Sequence, residues 1–234
     1  MTRLRDSDRP PVQAHQRFAA DRGAFAGLSL RERFQRIHDT NLWGAADSVS
    51  GLGSEIDATA VLRAELPALL RRLGVRALLD APCGDGGWIA TTELGVRVTG
   101  IDVVPDLISA LRGRGDFNRD YLLADITCDP LPHADAILCR DCLVHFSFAN
   151  IARAVENFRR SGAAWLITTT FPEWQTNLDC EDGDWRALNF ERAPFAWGAP
   201  RDLLNENCME AGGGWRDKSL GAWPLADIAT SLQE

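Results

Sequence analysis

The sequence contains little lysine and no long apolar run. Lys218 is the only lysine, so nearly all of the 25 basic residues are arginine. The 33 acidic residues outnumber them, and the pI of about 5.1 argues against a general nucleic-acid or anionic-membrane surface. No signal-type apolar core lies near the start, and no stretch approaches the roughly 20 apolar residues of a spanning helix. We therefore expect a cytoplasmic protein whose partners are small molecules, with no nucleic acid and no membrane.

Signatures of common nucleophilic and metal-dependent enzymes are also missing. The chain has no serine elbow, no Ser-His-Asp order and no zinc pattern. Its six cysteines are irregularly spaced in 234 residues, which predicts free thiols. Cys139 and Cys142 have the spacing of a redox or zinc half-site, but no second pair or histidine cluster completes it. We therefore predict no metal.

A glycine-rich stretch follows a short apolar run at residues 75–79. It reads Asp80-Ala-Pro82-Cys-Gly84-Asp-Gly86-Gly, and a predicted helix follows it. Glycine suits a strand-to-helix turn because it adopts positive φ and lets backbone N–H groups approach a ligand. Pro82 stands where the usual pattern has glycine. The stretch is either a nucleotide or phosphate loop or an ordinary turn.

Three further apolar runs end in charged residues. The first ends at Asp102, about twenty residues beyond the loop, where nucleotide-binding α/β domains place a carboxylate on ribose hydroxyls. The others end at Asp125-Ile126 and at Arg140-Asp141. Ligands of an open parallel sheet bind at the carboxyl ends of its strands, so we expect these residues to line one crevice.

Together these motifs resemble those of class I S-adenosylmethionine-dependent methyltransferases. The resemblance rests on residues 80–86, 100–102, 124–126 and 139–147, and it is strongest to a bacterial subgroup whose first motif is Asp-Ala-Pro-Cys-Gly-Asp. It covers nearly the whole chain after residue 30 and implies S-adenosyl-L-methionine as the cofactor. The residues it implies for cofactor binding are Asp80, Pro82, Gly84, Gly86, Asp102, Asp125, Ile126 and Arg140.

The implied fold is α/β and Rossmann-like: a mostly parallel twisted sheet, helices on both faces, and an antiparallel strand or hairpin near the C-terminus. We divide the chain into an N-terminal helical extension with a lid loop, residues 1–55, and a methyltransferase-like domain, residues 56–234. Within these parts, the pattern predicts a disordered lead over residues 1–10, helices at 12–22, 28–39, 56–74, 148–160 and 201–209, and a closing strand or hairpin within 215–225. Ser54 and Asp57 are the expected cap of the third helix.

Residues 41–53 cannot be a regular element, because they combine three glycines with small polar residues around Trp43. They form either a plain connector or a lid over the crevice. In a lid, Trp43 and Asp47 would face the substrate, whereas in a connector Asp47 would be a turn-forming residue.

Methyl transfer from a sulfonium depends on positioning more than on a strong nucleophile. Candidates for a catalytic base are Asp47, Asp141 and His145, although a histidine at a helix start is often structural. Arg140, Arg186 and Lys218 are suited to gripping an anionic group of a substrate, or alternatively to structural ion pairs. The predicted substrate-contact residues are Trp43, Arg140, Thr169, Trp185, Arg186 and Lys218.

Three functions remain open. The first is methyl transfer to a small polar metabolite, in specialised metabolism. The second uses the same fold for an intramolecular substitution with loss of an anion, as in the methyltransferase-like enzyme that forms the aziridine ring of azinomycin-type antibiotics. The third is a catalytically silent partner of a related subunit. For assembly, a homodimer and a hetero-oligomer with a related subunit are the open alternatives.

Overall fold

The computed structural model describes residues 5–114 and 119–229. Their strands are β1 (Ala77–Asp80), β2 (Arg97–Asp102), β3 (Arg119–Leu123), β4 (Ala136–Cys139), β5 (Trp165–Thr170), β6 (Asp202–Asn205) and β7 (Ser219–Pro224). In the described residues they form one seven-stranded sheet with the order β3-β2-β1-β4-β5-β7-β6. Strands β1 to β5 are parallel, and β7 pairs antiparallel with both β5 and β6. The predicted α/β sheet with a closing hairpin is confirmed.

The helices are α1 (Gln13–Asp21), α2 (Leu30–Asp39), α3 (Ala60–Arg72), α4 (Gly87–Ala90), α5 (Pro105–Gly113), α6 (Phe148–Arg160) and α7 (Glu210–Gly213). Local sequence explains where the clearest of them begin. Ser29 and Glu32 form a reciprocal capping box at the start of α2. The Ser147 hydroxyl accepts the backbone N–H of Asn150 at the start of α6. The helices predicted at 12–22, 28–39 and 148–160 are confirmed. No helix in the described ranges is long and apolar enough to cross a bilayer.

Alternate residues of the central strands pack on opposite faces of the sheet. Leu78, Leu138 and Ile167 lie in one apolar cluster with the buried leucines of α3. Leu79 and Leu166 lie in the other cluster, which includes the apolar face of α6. Because side chains of a strand alternate between faces, this two-residue period fixes the register of the sheet. The carboxyl ends of β1, β2 and β4 are thereby held at one edge.

The helix predicted at residues 201–209 is wrong. Residues 202–205 form β6, in which Leu203 is opposite Gly221 and Leu204 is opposite Leu220 of β7. Pairing with a strand that follows in the chain decides the conformation, and no local pattern within the segment shows that pairing. The predicted cap of α3 is also wrong: α3 begins after Thr59, and the Ser54 hydroxyl donates to the carbonyl of Ser50.

The predicted disordered lead is wrong for the part that the structure describes; residues 1–4 lie outside the described residues. The Asp6 carboxylate accepts the backbone N–H groups of Gln175 and Thr176. Arg9 is buried, its guanidinium pairs with Asp217, and it lies 5.0 Å from the centre of the Trp215 ring. The N-terminal segment is therefore packed onto the main domain.

Candidate functional site

Two adjoining clefts lie at the carboxyl ends of the parallel strands. The first is lined by Asp80, Gly84, Asp102, Asp125 and Arg140 among others, and we call it the strand-end cleft. The second is lined by Trp43, Phe171, Trp185, Trp215, Glu210 and Lys218 among others, and we call it the aromatic cleft. The crevice expected from the strand ends is present.

Most of the predicted cofactor-binding residues line the strand-end cleft. They are Asp80, Pro82, Gly84, Asp102, Asp125, Ile126 and Arg140. Gly86 is not among its lining residues. Its φ is +65°, and a Cβ there would lie 2.7 Å from a methyl group of Leu111, so this glycine shapes the loop.

Asp102 connects the end of β2 to the glycine loop. One carboxylate oxygen accepts the Gly84 N–H at 3.0 Å, and the other accepts the Val104 N–H at 3.0 Å. Burial raises the pKa of Asp102 to about 6. Each oxygen keeps a second lone pair, so the carboxylate can still accept a pair of hydroxyl donors. Burial also raises the pKa of Asp80, to about 8.

The loop at residues 41–53 lies over the glycine loop. The Ser48 hydroxyl and the Val49 N–H both donate to Asp85, at 2.7 and 3.1 Å. The Asp85 N–H in turn donates to the Ser50 hydroxyl at 2.9 Å. A Cβ on Gly84 would lie 2.2 Å from that hydroxyl, and φ there is +55°. Only glycine at position 84 allows this close approach.

Below this loop, a buried network joins two cations and two carboxylates. Arg140 contacts Glu206 at 2.7 Å and Asp141 at 3.3 Å, and Lys218 contacts Asp141 at 2.6 Å. Arg140 also donates to the carbonyl of Gly53 at 2.7 Å, which ties the loop to the network. Burial alone would raise the pKa of Asp141, but Arg140 and Lys218 outweigh burial and hold that pKa well below its usual range. Asp141 is therefore ionised.

His145 is held as a neutral imidazole between the two clefts. Its Nδ1 lies 2.8 Å from the carbonyl oxygen of Asp184. Because a carbonyl only accepts, Nδ1 carries the proton and Nε2 is the nitrogen left to accept one. The ring stacks on Trp43 with centroids 4.4 Å apart. Burial lowers the pKa of His145 to about 4, so the ring is uncharged at neutral pH.

The two clefts meet at shared residues. Trp43, Ser50, Asp141 and His145 line both of them. Thr169 supports this junction, because its hydroxyl accepts the Asp141 N–H at 2.8 Å. These residues thus form a wall that is common to the two clefts.

Like Gly86, three of the predicted catalytic and substrate-contact residues line neither cleft: Asp47, Thr169 and Arg186. Thr169 is buried behind Asp141. Asp47 is exposed, and its side chain lines neither cleft. Arg186 also lines neither cleft, because its guanidinium donates to the backbone carbonyls of Leu143, Phe146 and Leu178. Arg186 therefore holds the chain around His145 in place.

Three lining residues of the aromatic cleft were not predicted from the sequence: Phe171, Glu210 and Trp215. Glu206, the buried partner of Arg140, was not predicted either. Trp215 lies in the predicted closing segment, and Glu206 in the segment wrongly predicted as a helix. Nothing in their local sequence distinguishes them from core or surface residues.

One group of side chains has metal-ligand geometry in the part of the chain that the structure describes; His38 in it is half-buried, and Asp39 and Asp106 are exposed. Among the described residues, His38, Asp39 and Asp106 are the group of three whose ligand atoms lie within 4.8 Å of one another. The six cysteines all lie in the described part of the chain and are free thiols, as predicted.

Comparison with known proteins places this geometry in a recognised fold. Residues 78–162, which include β1 to α6, match a family described as a methyltransferase domain. No curated protein sequence matches the chain. The match covers the segment that supplies most of the strand-end cleft.

Solved structures extend the similarity to the rest of the chain. The 1,6-didemethyltoxoflavin N1-methyltransferase of Burkholderia thailandensis, crystallised with 1,6-didemethyltoxoflavin and S-adenosylhomocysteine, is 18% identical over 91% of both chains, with a TM-score of 0.55. Human N-acetylserotonin methyltransferase, in complex with S-adenosylmethionine, is 14% identical over 92% of this chain and 60% of that one, with a TM-score of 0.50. A Pyrococcus horikoshii protein is 21% identical over 50% of this chain and 59% of its own, with a TM-score of 0.41. The chain thus spans about three fifths of the last two. Its fold is the Rossmann-like class I methyltransferase fold.

Proposed function

We propose that the protein is an S-adenosyl-L-methionine-dependent methyltransferase that acts on a small polar metabolite of specialised metabolism. The observation that carries this proposal is the junction of the two clefts at Asp141 and His145. One cleft offers the carboxylates and glycine loop suited to a nucleoside, and the other offers a separate space for a second small molecule. A transfer reaction needs two such sites in contact.

The residues of the strand-end cleft fit a nucleoside cofactor. Asp102 retains lone pairs for two ribose hydroxyls, and Asp125 and Ile126 lie at the end of β3, where an adenine edge could be contacted. Trp88 and Leu107 supply apolar walls for a flat ring. S-adenosyl-L-methionine would supply an activated methyl group on sulfur when bound there.

The chain itself would orient the acceptor, exclude water and take up a proton. The free Nε2 of His145 can accept a proton from an acceptor in the aromatic cleft, because Nδ1 is already committed to a carbonyl. Asp141 is fixed by Lys218 and Thr169, so it offers a stationary negative charge beside the same space. Trp43 lines both clefts, and its indole ring would limit the access of water to a bound acceptor.

The proposal is tested by calorimetry with S-adenosylhomocysteine followed by mass spectrometry of candidate acceptors. We expect saturable heat with the cofactor product, and methylated acceptor formed in equal amount to consumed S-adenosylmethionine. A folded protein that gives no heat at millimolar ligand would overturn the cofactor assignment.

The alternative reaction, aziridine ring formation with loss of an anion such as sulfate, makes a different demand on the site. In that reaction, Arg140 or Arg186 was expected to bind the leaving anion. Arg140 is already paired with Glu206, and Arg186 is bound to backbone carbonyls, which favours methyl transfer. The two reactions are separated by supplying the substrate with and without S-adenosylmethionine. Release of an anion without cofactor would replace the proposal with ring closure.

A further inference from the structure

Glu210 is an unpaired carboxylate at the wall of the aromatic cleft. Among the described residues its side chain has no hydrogen bond or ion pair, although it lies in a cleft rather than on open surface. Burial raises the pKa of Glu210, with Lys218 opposing that rise. A partly buried carboxylate without a partner is costly, and a bound cation would relieve that cost.

The other charged residues that line the aromatic cleft, Asp141 and Lys218, are already balanced, and so is the pair of Arg140 and Glu206 next to them. Lys218 pairs with Asp141 at 2.6 Å and lies 3.6 Å from Glu206, while Arg140 pairs with Glu206. These two cations and two carboxylates sum to zero, and His145 is neutral. Glu210 therefore leaves the cleft with a net negative charge and with no uncommitted cation for an anionic ligand.

Four tryptophan and phenylalanine side chains also line the cleft, beside small and aliphatic residues such as Ala14 and Val12. The Trp185 and Trp215 rings lie edge to face with centroids 4.9 Å apart, and Phe171 lies 5.9 Å from Trp185. Trp43 completes the lining, and its indole N–H has no partner among the described residues. Aromatic faces attract organic cations through their quadrupoles, and the attraction increases as water is excluded.

We propose that the acceptor carries a protonated or quaternary amine that binds in the aromatic cleft between Glu210 and these rings. This inference rests on the proposed function, because it names the substrate class of the same site. It assigns Glu210 to substrate binding, and it replaces the expectation of an anionic substrate held by Arg140, Arg186 and Lys218.

The test compares three probes with the same aromatic body and different charge: phenethylamine, 2-phenylethanol and 3-phenylpropionate. Each is titrated by calorimetry into the protein with and without S-adenosylhomocysteine. We expect phenethylamine to bind roughly tenfold more tightly than the alcohol, equivalent to about 1.4 kcal/mol, and the carboxylate to bind most weakly. Glu210→Gln should remove the preference for the amine and leave the affinity for S-adenosylhomocysteine unchanged.

The matched control is Glu156→Gln, the same change at an exposed position of α6 that lines neither cleft. It should bind all three probes as the wild type does. Equal affinity for amine and alcohol, a preference for the carboxylate, no detectable phenethylamine binding, or a preference that survives Glu210→Gln would each overturn the inference. If S-adenosylhomocysteine binds while the amine preference is absent, the inference fails alone. If S-adenosylhomocysteine does not bind, the proposed function is wrong. The amine preference is then judged from the titrations without cofactor.

Discussion

The strand-end cleft and the aromatic cleft share a wall but are assembled in different ways. Most of the strand-end cleft comes from residues 80–146, in which most lining residues lie at the end of a strand or shortly after it. The aromatic cleft draws on Val12, Trp43, Phe171 and residues 208–218, which only the tertiary fold brings together. The strand-end cleft is thus built from local motifs, whereas the aromatic cleft, which we propose binds the acceptor, is built from segments distant in the chain.

The two clefts also differ in how they carry charge. Among the residues that the structure describes, Asp80 and Asp102 are buried and have no side-chain ion pair, and burial raises the pKa of both, to about 8 and about 6. On the aromatic side, Asp141 and Glu206 are neutralised by Arg140 and Lys218. The strand-end carboxyls are therefore available to a ligand, and the ion network mainly supports the fold. Four experiments bear on this contrast.

The largest effect is expected from breaking the ion network. Lys218→Met keeps the length of the side chain but leaves Asp141 and Glu206 with one cation between them. Removing one partner of a buried pair costs about 3–5 kcal/mol, so the free energy of unfolding by urea should fall by that amount. Arg72→Met is the control, because Arg72 pairs with Asp202 at the surface and should cost at most about 1 kcal/mol. Equal losses in the two variants would mean that the network does not support the fold.

The next effect concerns the strand-end cleft. Asp102→Asn removes the charge that we assign to ribose binding while keeping the side-chain size. Charged hydrogen bonds contribute about 1.5–3 kcal/mol, so the calorimetric affinity for S-adenosylhomocysteine should fall roughly ten- to a hundredfold. The exposed Asp120→Asn should leave the affinity unchanged. An Asp102→Asn protein that binds as the wild type does would exclude Asp102 as a ligand contact.

A third effect follows from the neutral His145. A histidine in an unfolded chain has a pKa near 6.5, whereas the pKa of His145 in the fold is about 4. The unfolded state therefore binds more protons between these values, and the stability that neutral His145 contributes above pH 6.5 is lost as the pH falls toward 4. From pH 7 to about pH 5 this loss should be about 2 kcal/mol in urea unfolding.

His145→Gln is the comparison for that measurement, because it lacks the titrating ring and should lose correspondingly less stability. The raised pKa values of Asp80 and Asp102 stabilise both proteins as the pH falls. This contribution cancels when the stability of His145→Gln is subtracted from that of the wild type. Parallel pH profiles for the two proteins would show that His145 titrates normally.

The smallest effect is expected at the contact between the loop of residues 41–53 and the glycine loop. Asp85→Asn weakens the bonds from Ser48 and Val49, and S-adenosylhomocysteine should dissociate about tenfold faster, equivalent to about 1.4 kcal/mol. Stopped-flow tryptophan fluorescence measures this rate. Asp47→Asn is the control, since the exposed Asp47 side chain lines neither cleft, and its rate should equal that of the wild type. Unchanged dissociation in Asp85→Asn would make residues 41–53 a connector.

The strand-end cleft was predicted from the sequence because the signals for it are local. A strand that ends in Asp102 or Asp125 is visible in a few consecutive residues, and the parallel sheet brings such ends together. The closing hairpin was also predicted, within residues 215–225. The register of that hairpin, and hence the strand at 202–205, depends on pairing across more than ten intervening residues.

The aromatic cleft was predicted only in part for the same physical reason. Trp43 and Trp185 were expected to contact substrate, but tryptophans in loops look alike in sequence whether they line a cleft or fill a core. For Arg186 the sequence left anion binding and a structural role open, and in the fold its guanidinium donates to three backbone carbonyls. Which carbonyls need a donor is decided by the folded chain.

The chain has a single lysine, and its ammonium is buried with two carboxylates. In the native protein, reagents that acylate or alkylate amines would therefore have no accessible side-chain amine to modify. Modification at Lys218 requires that the region around β7 open. The rate of labelling at this one position, read by mass spectrometry, would thus report how often the folded molecule exposes its interior, without any engineered probe.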